Sequence, residues 1–174
     1  MEEPDVGHIG CIADLGFWTL DPIDGTLGFL RGGQYAVCLA LIVAGEPWVG
    51  VLACPNLPFN LKDESSKRGI MTYVVKGNQT FECPLGGDID AESTSCKMKA
   101  VTDLSQATFV ESVESGHSSH SQQSQIAQLL GIETESVRMD SQAKYAALAR
   151  GAAEIYLRIP VSMTYEERIW VTPL

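Results

Sequence analysis

The sequence predicts an α/β fold built in two parts, and two patterns carry this prediction. The first half contains apolar, β-branched runs separated by short turns with Gly and Pro, which is typical of antiparallel hairpins. The second half alternates short apolar runs with helical segments, which is typical of strand–helix units. The chain has 174 residues, 45% hydrophobic and 20% charged, enough for one ordinary core or parts of two.

The first half is expected to begin with a buried strand at residues 17–20, which Pro22 and Gly25 end. Two hairpins follow, with strands predicted at residues 35–44, 48–54, 69–75 and 80–83. Residues 84–99 are rich in Gly, Ser, Thr and charge and show no period. They are therefore expected to form a linker or a long surface loop.

The second half is expected to contain three strands, at residues 107–113, 136–139 and 153–159, the last stopped by Pro160. A helix is predicted at residues 121–130, closed by Gly131. A second helix is predicted to start at a cap formed by Asp140 and Ser141, to run to Arg150 and to close at Gly151.

Charge and cysteine content exclude several classes of protein. Twelve Lys and Arg against 22 Asp and Glu give a net charge of −10, so the chain is a poor binder of nucleic acid or anionic membranes. Any phosphate must therefore bind in a local basic pocket. The longest apolar run, 35–44, is about half of the ~20 residues of a membrane span, and no signal peptide is visible. Five cysteines without C-x-x-C spacing indicate reduced thiols in a cytoplasmic protein.

The strongest candidate site is the turn from Asp21 to Thr26, with the sequence Asp-Pro-Ile-Asp-Gly-Thr. Asp21 and Asp24 follow an apolar strand, and two unpaired buried carboxylates would be costly. They can converge around a divalent cation, and hard oxygen ligands such as carboxylates and the Ile23 carbonyl suit Mg²⁺. The Thr26 hydroxyl would then orient a water on the metal. An ordinary Asx-type turn explains the same residues equally well, so both interpretations stay open.

A second candidate site consists of polar residues at element ends in the second half. Residues 114–120 follow a predicted strand, and Lys144 lies in the first turn of a predicted helix, where an anion would bind favourably. Arg158 lies in an otherwise apolar strand. Individually, Lys144 is most simply a solvated helix residue and Arg158 an edge-strand arginine. His117 and His120 are most simply polar loop residues, with no third zinc ligand at a suitable spacing. Together these elements indicate an anionic ligand.

Six segments of this chain, in this order, resemble the inositol monophosphatase superfamily and, within it, the 3'(2'),5'-bisphosphate nucleotidases of fungi and plants. They are residues 18–26, 28–40, 50–57, 112–120, 140–145 and 156–160. The resemblance implies part of a layered αβαβα sandwich. Residues 1–103 are then expected to form the C-terminal part of a metal-binding α+β domain. Residues 104–174 are expected to form most of a smaller α/β domain that binds the nucleotide.

The resemblance implies an Mg²⁺-dependent phosphatase that removes the 3'-phosphate of adenosine 3',5'-bisphosphate, and of its sulfated 5'-phosphosulfate form, in connection with sulfate assimilation. Such enzymes are typically inhibited by Li⁺ and are mostly monomeric. The residues of the implied site have four roles. Asp21, Ile23 and Asp24 bind metal, and Asp21 and Thr26 serve catalysis. Gly25 and Thr26 contact the scissile phosphate, whereas the rest of the nucleotide is bound by His117, Ser141, Lys144 and Arg158.

The chain also departs from the family pattern. The resemblance implies acidic ligands well upstream of the turn, for which the acidic residues 2–5 lie too near, and an aspartate where Val171 stands. Leu27 replaces a usual lysine. We therefore expect an incomplete copy of such an enzyme, with at most trace activity. Two alternatives stay open: a silent relative that binds nucleotide phosphate or a partner, and an inositol polyphosphate phosphatase, which residues 116–120 and 141–144 disfavour.

Overall fold

The computed structural model describes residues 16–63, 65–114, 120–159 and 164 and places most of them around two sheets. The first sheet has six strands in sequence order, and every neighbouring pair is antiparallel. These strands are β1 (Phe17–Asp24), β2 (Ala36–Val43), β3 (Glu46–Pro58), β4 (Arg68–Val75), β5 (Phe81–Pro84) and β6 (Thr94–Ser95). The two predicted hairpins are confirmed, at β2–β3 and β4–β5.

The first strand is longer than predicted, because β1 continues through Pro22 to Asp24. Proline cannot donate a hydrogen bond to a neighbouring strand, but β1 is the outer strand of the described sheet and needs none on its open side. Its pairing with β2 shifts register between Asp21 and Asp24, where the strand bulges. A short helix that the sequence did not predict, α1 (Thr26–Leu30), then follows Gly25 directly.

The sequence predicted a linker or a long surface loop at residues 84–99, but the structure shows regular elements there. These residues contain a one-turn helix, α2 (Ile89–Glu92), and the edge strand β6. The carboxylate of Asp88 begins this helix by accepting hydrogen bonds from the amides of Asp90, at 3.0 Å, and Ala91, at 3.3 Å. Elements this short cannot show a hydrophobic period, so sequence periodicity could not detect them.

The second sheet has three parallel strands, with β7 (Phe109–Glu111) between β8 (Val137–Arg138) and β9 (Ile155–Tyr156). The predicted strands thus exist but are shorter; the last spans two residues instead of seven. The predicted helices are α3 (His120–Leu129) and α4 (Ala143–Ala149). No helix in the described ranges is long and apolar enough to cross a membrane.

The main core lies where α4 packs between the two sheets. Ala143, Ala146 and Ala147 are fully buried, and they share one apolar cluster with Leu57 of β3 and Val110 of β7. Small alanine side chains let the helix approach both sheets closely. The core therefore includes residues from both expected domains, and the boundary at residue 103 stays a prediction.

The opposite face of the first sheet is also apolar, but its side chains on the outer strand β1 are exposed to solvent. The register aligns two rows of apolar side chains across β1 to β4: Trp18, Leu41, Val49 and Val75, and Leu20, Leu39, Val51 and Tyr73. Leu20 is 58% exposed. The two faces of this sheet should therefore differ sharply in how much their side chains stabilise the fold.

We predict that Leu57→Ala lowers the free energy of unfolding by about 2–5 kcal/mol, because it leaves a cavity in the core. The matched change Leu20→Ala should cost less than about 1 kcal/mol, since that side chain is more than half exposed. Chemical denaturation followed by circular dichroism measures both values. Equal losses for the two variants would contradict the described core.

Candidate metal and phosphate site

The carboxylate turn lies at the end of β1, where the strand bulges and passes into α1. An Asp21 carboxylate oxygen accepts a hydrogen bond from the Ile23 amide at 3.1 Å, which is an Asx-type turn. The Thr26 hydroxyl donates a long hydrogen bond of 3.5 Å to the Ile23 carbonyl. The turn interpretation is thus confirmed, but only one oxygen of Asp21 is used in it, and the turn brings Asp21, Ile23, Asp24 and Thr26 together.

Gly25 brings this turn into contact with the start of α4. Its φ of +81° lies in the left-handed region that favours glycine. A Cβ atom on Gly25 would lie 2.6 Å from the Cβ of Ser141 and 3.2 Å from its Cα, so no side chain fits. Ser141 itself has a φ of +65°, which is uncommon for a residue other than glycine. Two constrained residues from opposite halves of the chain therefore meet here.

Asp24 joins the two halves through a hydrogen bond. One of its carboxylate oxygens accepts the amide hydrogen of Gln142 at 2.5 Å. Burial raises the pKa of Asp24 above its ordinary value and the nearby Asp21 raises it further, whereas the Gln142 amide, Lys144 and Arg158 lower it. Burial has the largest effect, so the ionised carboxylate is unfavourable here unless more positive charge is bound.

Lys144, two residues after Gln142, is only 5% exposed. Its amine donates hydrogen bonds to the carbonyls of Ser141, at 2.8 Å, and Met139, at 3.2 Å. Burial lowers the pKa of Lys144 to about 8; Asp24 and Asp140 oppose this shift, and Arg158 adds to it. The simple interpretation of a solvated helix residue is therefore wrong for Lys144.

The structure brings together most of the predicted site residues. Asp24 contacts the start of α4 directly, and both Lys144 and Arg158 are close enough to change its pKa. Arg158 lies just after β9, and its side chain is exposed. His117 is outside the described residues, as are the acidic residues 2–5, Pro160 and Val171. The roles of these residues stay predictions.

The predicted helix cap is only partly correct. Ser141 accepts a hydrogen bond from the Ala143 amide at 3.1 Å, as expected near a helix start. Asp140 instead pairs with Arg31, whose guanidinium donates to both carboxylate oxygens at 2.9 and 3.0 Å. Arg31 also donates to Glu114 at 2.5 Å. Sequence reasoning gave Arg31 no role, because its two partners lie 83 and 109 residues away.

His120, at the start of α3, contacts the end of β7. A ring nitrogen, Nε2, lies 3.0 Å from the Ser112 carbonyl and 3.8 Å from a Glu111 oxygen. Among the described residues no group of three or more His, Cys, Asp or Glu could bind a metal. The available metal donors in this part of the chain are the carboxylates of Asp21 and Asp24 and the Ile23 carbonyl. Mg²⁺ fits such oxygens, since it commonly binds one or two carboxylates and completes its shell with water and substrate phosphate.

The chain belongs to the inositol monophosphatase family, because the sequence model of that family matches residues 2–170. It is 48% identical over 164 residues to a 3'(2'),5'-bisphosphate nucleotidase of Emericella nidulans, covering 88% of this chain and 47% of the relative. A protein of Schizosaccharomyces pombe with the same name is 49% identical over 154 residues, covering 88% and 43%. The chain thus spans about half of the length of the curated relatives it matches.

Two solved structures share this fold. CysQ from Bacteroides thetaiotaomicron matches with a TM-score of 0.59 and 23% identity, over 82% of this chain and 52% of that one. SuhB from Mycobacterium tuberculosis matches with a TM-score of 0.58 and 22% identity, over the same shares. The α/β fold class predicted from the sequence is confirmed, as is the resemblance to bisphosphate nucleotidases.

Proposed function

We propose that this chain is part of an Mg²⁺-dependent phosphatase that acts on the 3'-phosphate of adenosine 3',5'-bisphosphate. It carries the carboxylate turn from Asp21 to Thr26, here called the metal turn, and the residues that bind the phosphates. One observation carries the proposal: the Asp24 carboxylate, at the metal turn, accepts a hydrogen bond from Gln142 beside Ser141 and Lys144. The names of the curated relatives support this substrate. Its sulfated 5'-phosphosulfate form is a second expected substrate, which links the reaction to sulfate assimilation.

At the metal turn, Asp21, Asp24 and the Ile23 carbonyl would bind Mg²⁺. When bound, the ion would lower the pKa of a water and stabilise charge on the phosphate oxygens. The Thr26 hydroxyl, which now donates to the Ile23 carbonyl, would orient the attacking water. The backbone of Gly25 and Thr26 would contact the scissile phosphate, since a glycine with no Cβ allows a close approach.

The second phosphate would bind to Ser141, Lys144 and Arg158, with His117 beside the nucleotide. This gives an acidic chain of net charge −10 the local positive charge that a phosphate requires. A pKa of about 8 leaves Lys144 mostly protonated at neutral pH. Its charge lies in a desolvated environment, where attraction to a phosphate is less screened than at the surface.

Binding of three ligands tests the proposal. We expect isothermal titration calorimetry with Mg²⁺ present to show that adenosine 3',5'-bisphosphate binds at least about tenfold more tightly than adenosine 5'-phosphate, because one charged phosphate contact is lost. Equal affinity for the two nucleotides would contradict the proposal. Tighter binding of an inositol bisphosphate would favour the alternative of an inositol polyphosphate phosphatase.

Phosphate release with the same three compounds separates an enzyme from a silent relative. Release of the 3'-phosphate that requires Mg²⁺ and is lost in Asp24→Asn indicates an enzyme. Selective binding without release indicates the silent relative, which is the other class that the sequence left open. The control is Asp63→Asn, the same change in an exposed loop, where Ser65 is the only donor to the carboxylate among the described residues.

We also propose that the chain works in the cytosol on this small molecule, without nucleic acid. The four described cysteines, Cys38, Cys54, Cys83 and Cys96, are free and buried, which suits a reducing compartment. Burial raises the pKa of Cys54 to about 12 and that of Cys96 to about 11. Such thiols stay protonated, so they are poor nucleophiles and poor metal ligands.

A further inference from the structure

Arg31 joins three separate segments of the chain through one guanidinium group. It follows α1, the short helix that begins directly after the metal turn. One nitrogen, Nη1, donates to Glu114, which lies three residues after β7, and the other, Nη2, donates to both oxygens of Asp140. Asp140 immediately precedes Ser141. Arg31 thus connects the metal turn with the residues that we assign to the second phosphate.

Asp140 packs closely against the α1 segment as well as pairing with it. A Cβ atom on Gly28 would lie 2.7 Å from both the Cβ and a carboxylate oxygen of Asp140. The Asp140 side chain is only 12% exposed, whereas that of Arg31 is 45% exposed. The carboxylate therefore lies in a narrow space beside the α1 backbone, with the guanidinium covering its outer side.

The segment from Asp140 to Gln142 contacts the α1 side of the molecule at three successive residues. Asp140 pairs with Arg31, Ser141 touches Gly25, and the Gln142 amide donates to Asp24. The last two contacts depend on a left-handed Ser141, which costs about 1–2 kcal/mol and needs support from its surroundings. The Arg31 ion pair lies next to that residue and supplies such support.

We propose that Arg31 is a positioning residue, which fixes Ser141 and the start of α4 against the metal turn so that both phosphates of one substrate can bind at once. This inference rests on the proposed function and deepens it. Arg31 acts through Asp140 and Glu114 rather than by touching the reacting atoms. Without it, the nearly buried Asp140 carboxylate loses its hydrogen-bonded cation and keeps only the more distant charge of Lys144, so it moves towards water.

Exposed ion pairs are usually weak, but two features make this one stronger. The Nη2 nitrogen lies 2.9 and 3.0 Å from the two oxygens of Asp140, a carboxylate that is only 12% exposed, so the attraction between the charges is less screened than at the surface. The second carboxylate, Glu114, shares the same guanidinium, so one ordered side chain serves two pairs. A lysine has one compact ammonium group and cannot reproduce this fork.

The first test uses the affinity for adenosine 3',5'-bisphosphate, measured by calorimetry with Mg²⁺ present. We expect Arg31→Met to weaken binding by about tenfold or more, and Arg31→Lys to restore only part of that loss. The matched control is Arg138→Met, which removes a single pair at 3.5 Å between an exposed guanidinium and the buried carboxylate of Glu111, and which should change affinity less than about twofold. An Arg31→Met variant no weaker than Arg138→Met overturns the proposal.

A double-mutant cycle separates positioning from a general loss of stability. The double variant Arg31→Met with Asp140→Asn should lose less affinity for the nucleotide than the two single losses multiplied together, if Arg31 acts through Asp140. We expect it to bind at least about fivefold more tightly than that product predicts. Independent losses that simply multiply overturn the proposal. Mg²⁺ affinity alone, measured by competition with Mn²⁺, should change less than about twofold in Arg31→Met, because the metal donors are on β1.

Amide hydrogen exchange followed by NMR tests positioning without any ligand, so it decides the point even if the proposed function fails. We expect Arg31→Met to speed exchange of the Gln142 amide, which donates to Asp24, by about tenfold or more. The Val110 amide in β7 should keep its protection, and Arg138→Met should leave Gln142 unchanged. Unchanged exchange at Gln142 in Arg31→Met overturns the inference.

Discussion

Gly25→Ala is expected to weaken binding of adenosine 3',5'-bisphosphate by about a hundredfold or more. The new Cβ would lie 2.6 Å from the Cβ of Ser141, so the metal turn and the start of α4 must move apart. That movement would separate the two groups of residues that are proposed to bind the two phosphates. A misplacement of about 1 Å in such a site can cost about a hundredfold.

The control for this variant is Gly77→Ala, in the turn between β4 and β5. Gly77 has a φ of +82°, almost that of Gly25, but no atom of the described residues lies within 4 Å of a Cβ added there. Both variants should therefore lose a similar free energy of unfolding from backbone strain, about 1–2 kcal/mol. Only Gly25→Ala should lose affinity for adenosine 3',5'-bisphosphate. Equal affinities for the two variants in calorimetry would show that the Gly25–Ser141 contact does not organise the site.

Asp24→Asn is expected to remove the thermal stabilisation that Mg²⁺ confers and, without metal, to raise the melting temperature at neutral pH. Burial raises the pKa of Asp24, so the folded chain bears an unfavourable charge above that pKa. Asparagine removes the charge, and its carbonyl oxygen can still accept the Gln142 amide hydrogen. The same change removes a proposed Mg²⁺ ligand. Melting curves with and without Mg²⁺ measure both effects.

The sign of the pH dependence follows from the direction of the shift. A carboxyl whose pKa is higher in the folded than in the unfolded chain contributes most stability at low pH, and this contribution is lost as the pH rises through the folded pKa. The advantage of Asp24→Asn without metal should therefore be small below about pH 3 and grow towards neutral pH. In the control Asp63→Asn the sign is opposite, because hydrogen bonds from Ser65 lower the pKa of Asp63. An advantage that shrinks with rising pH would contradict the described burial of Asp24.

The sequence predicted the antiparallel hairpins well because apolar, β-branched runs and turn residues are local signals. It missed the extension of β1 through Pro22, since whether a strand is at a sheet edge depends on its neighbours and not on its own residues. It also missed α1 and α2, whose five and four residues are too few for a period.

The sequence suggested candidate residues for the site, but it could not predict how they lie relative to one another. The turn from Asp21 to Thr26 carries its chemistry in six adjacent residues, and the resemblance added Ser141, Lys144 and Arg158. Local sequence could not show that Lys144 is buried, because a lysine in the first turn of a helix is usually exposed to solvent. Nor could it show that Arg31 pairs with Asp140, since that contact joins residues 109 positions apart. Contacts of this kind arise only from the packing of the two sheets around α4.

The central claim is that the metal turn and the phosphate-binding residues form a single site, and linkage between the two ligands tests it most directly. The affinity of the full chain for adenosine 3',5'-bisphosphate should be measured by calorimetry without metal and with saturating Mg²⁺. We expect Mg²⁺ to tighten binding by about tenfold or more, and the nucleotide to tighten Mg²⁺ binding by the same factor. Nucleotide affinity that does not change with Mg²⁺ would contradict a shared site.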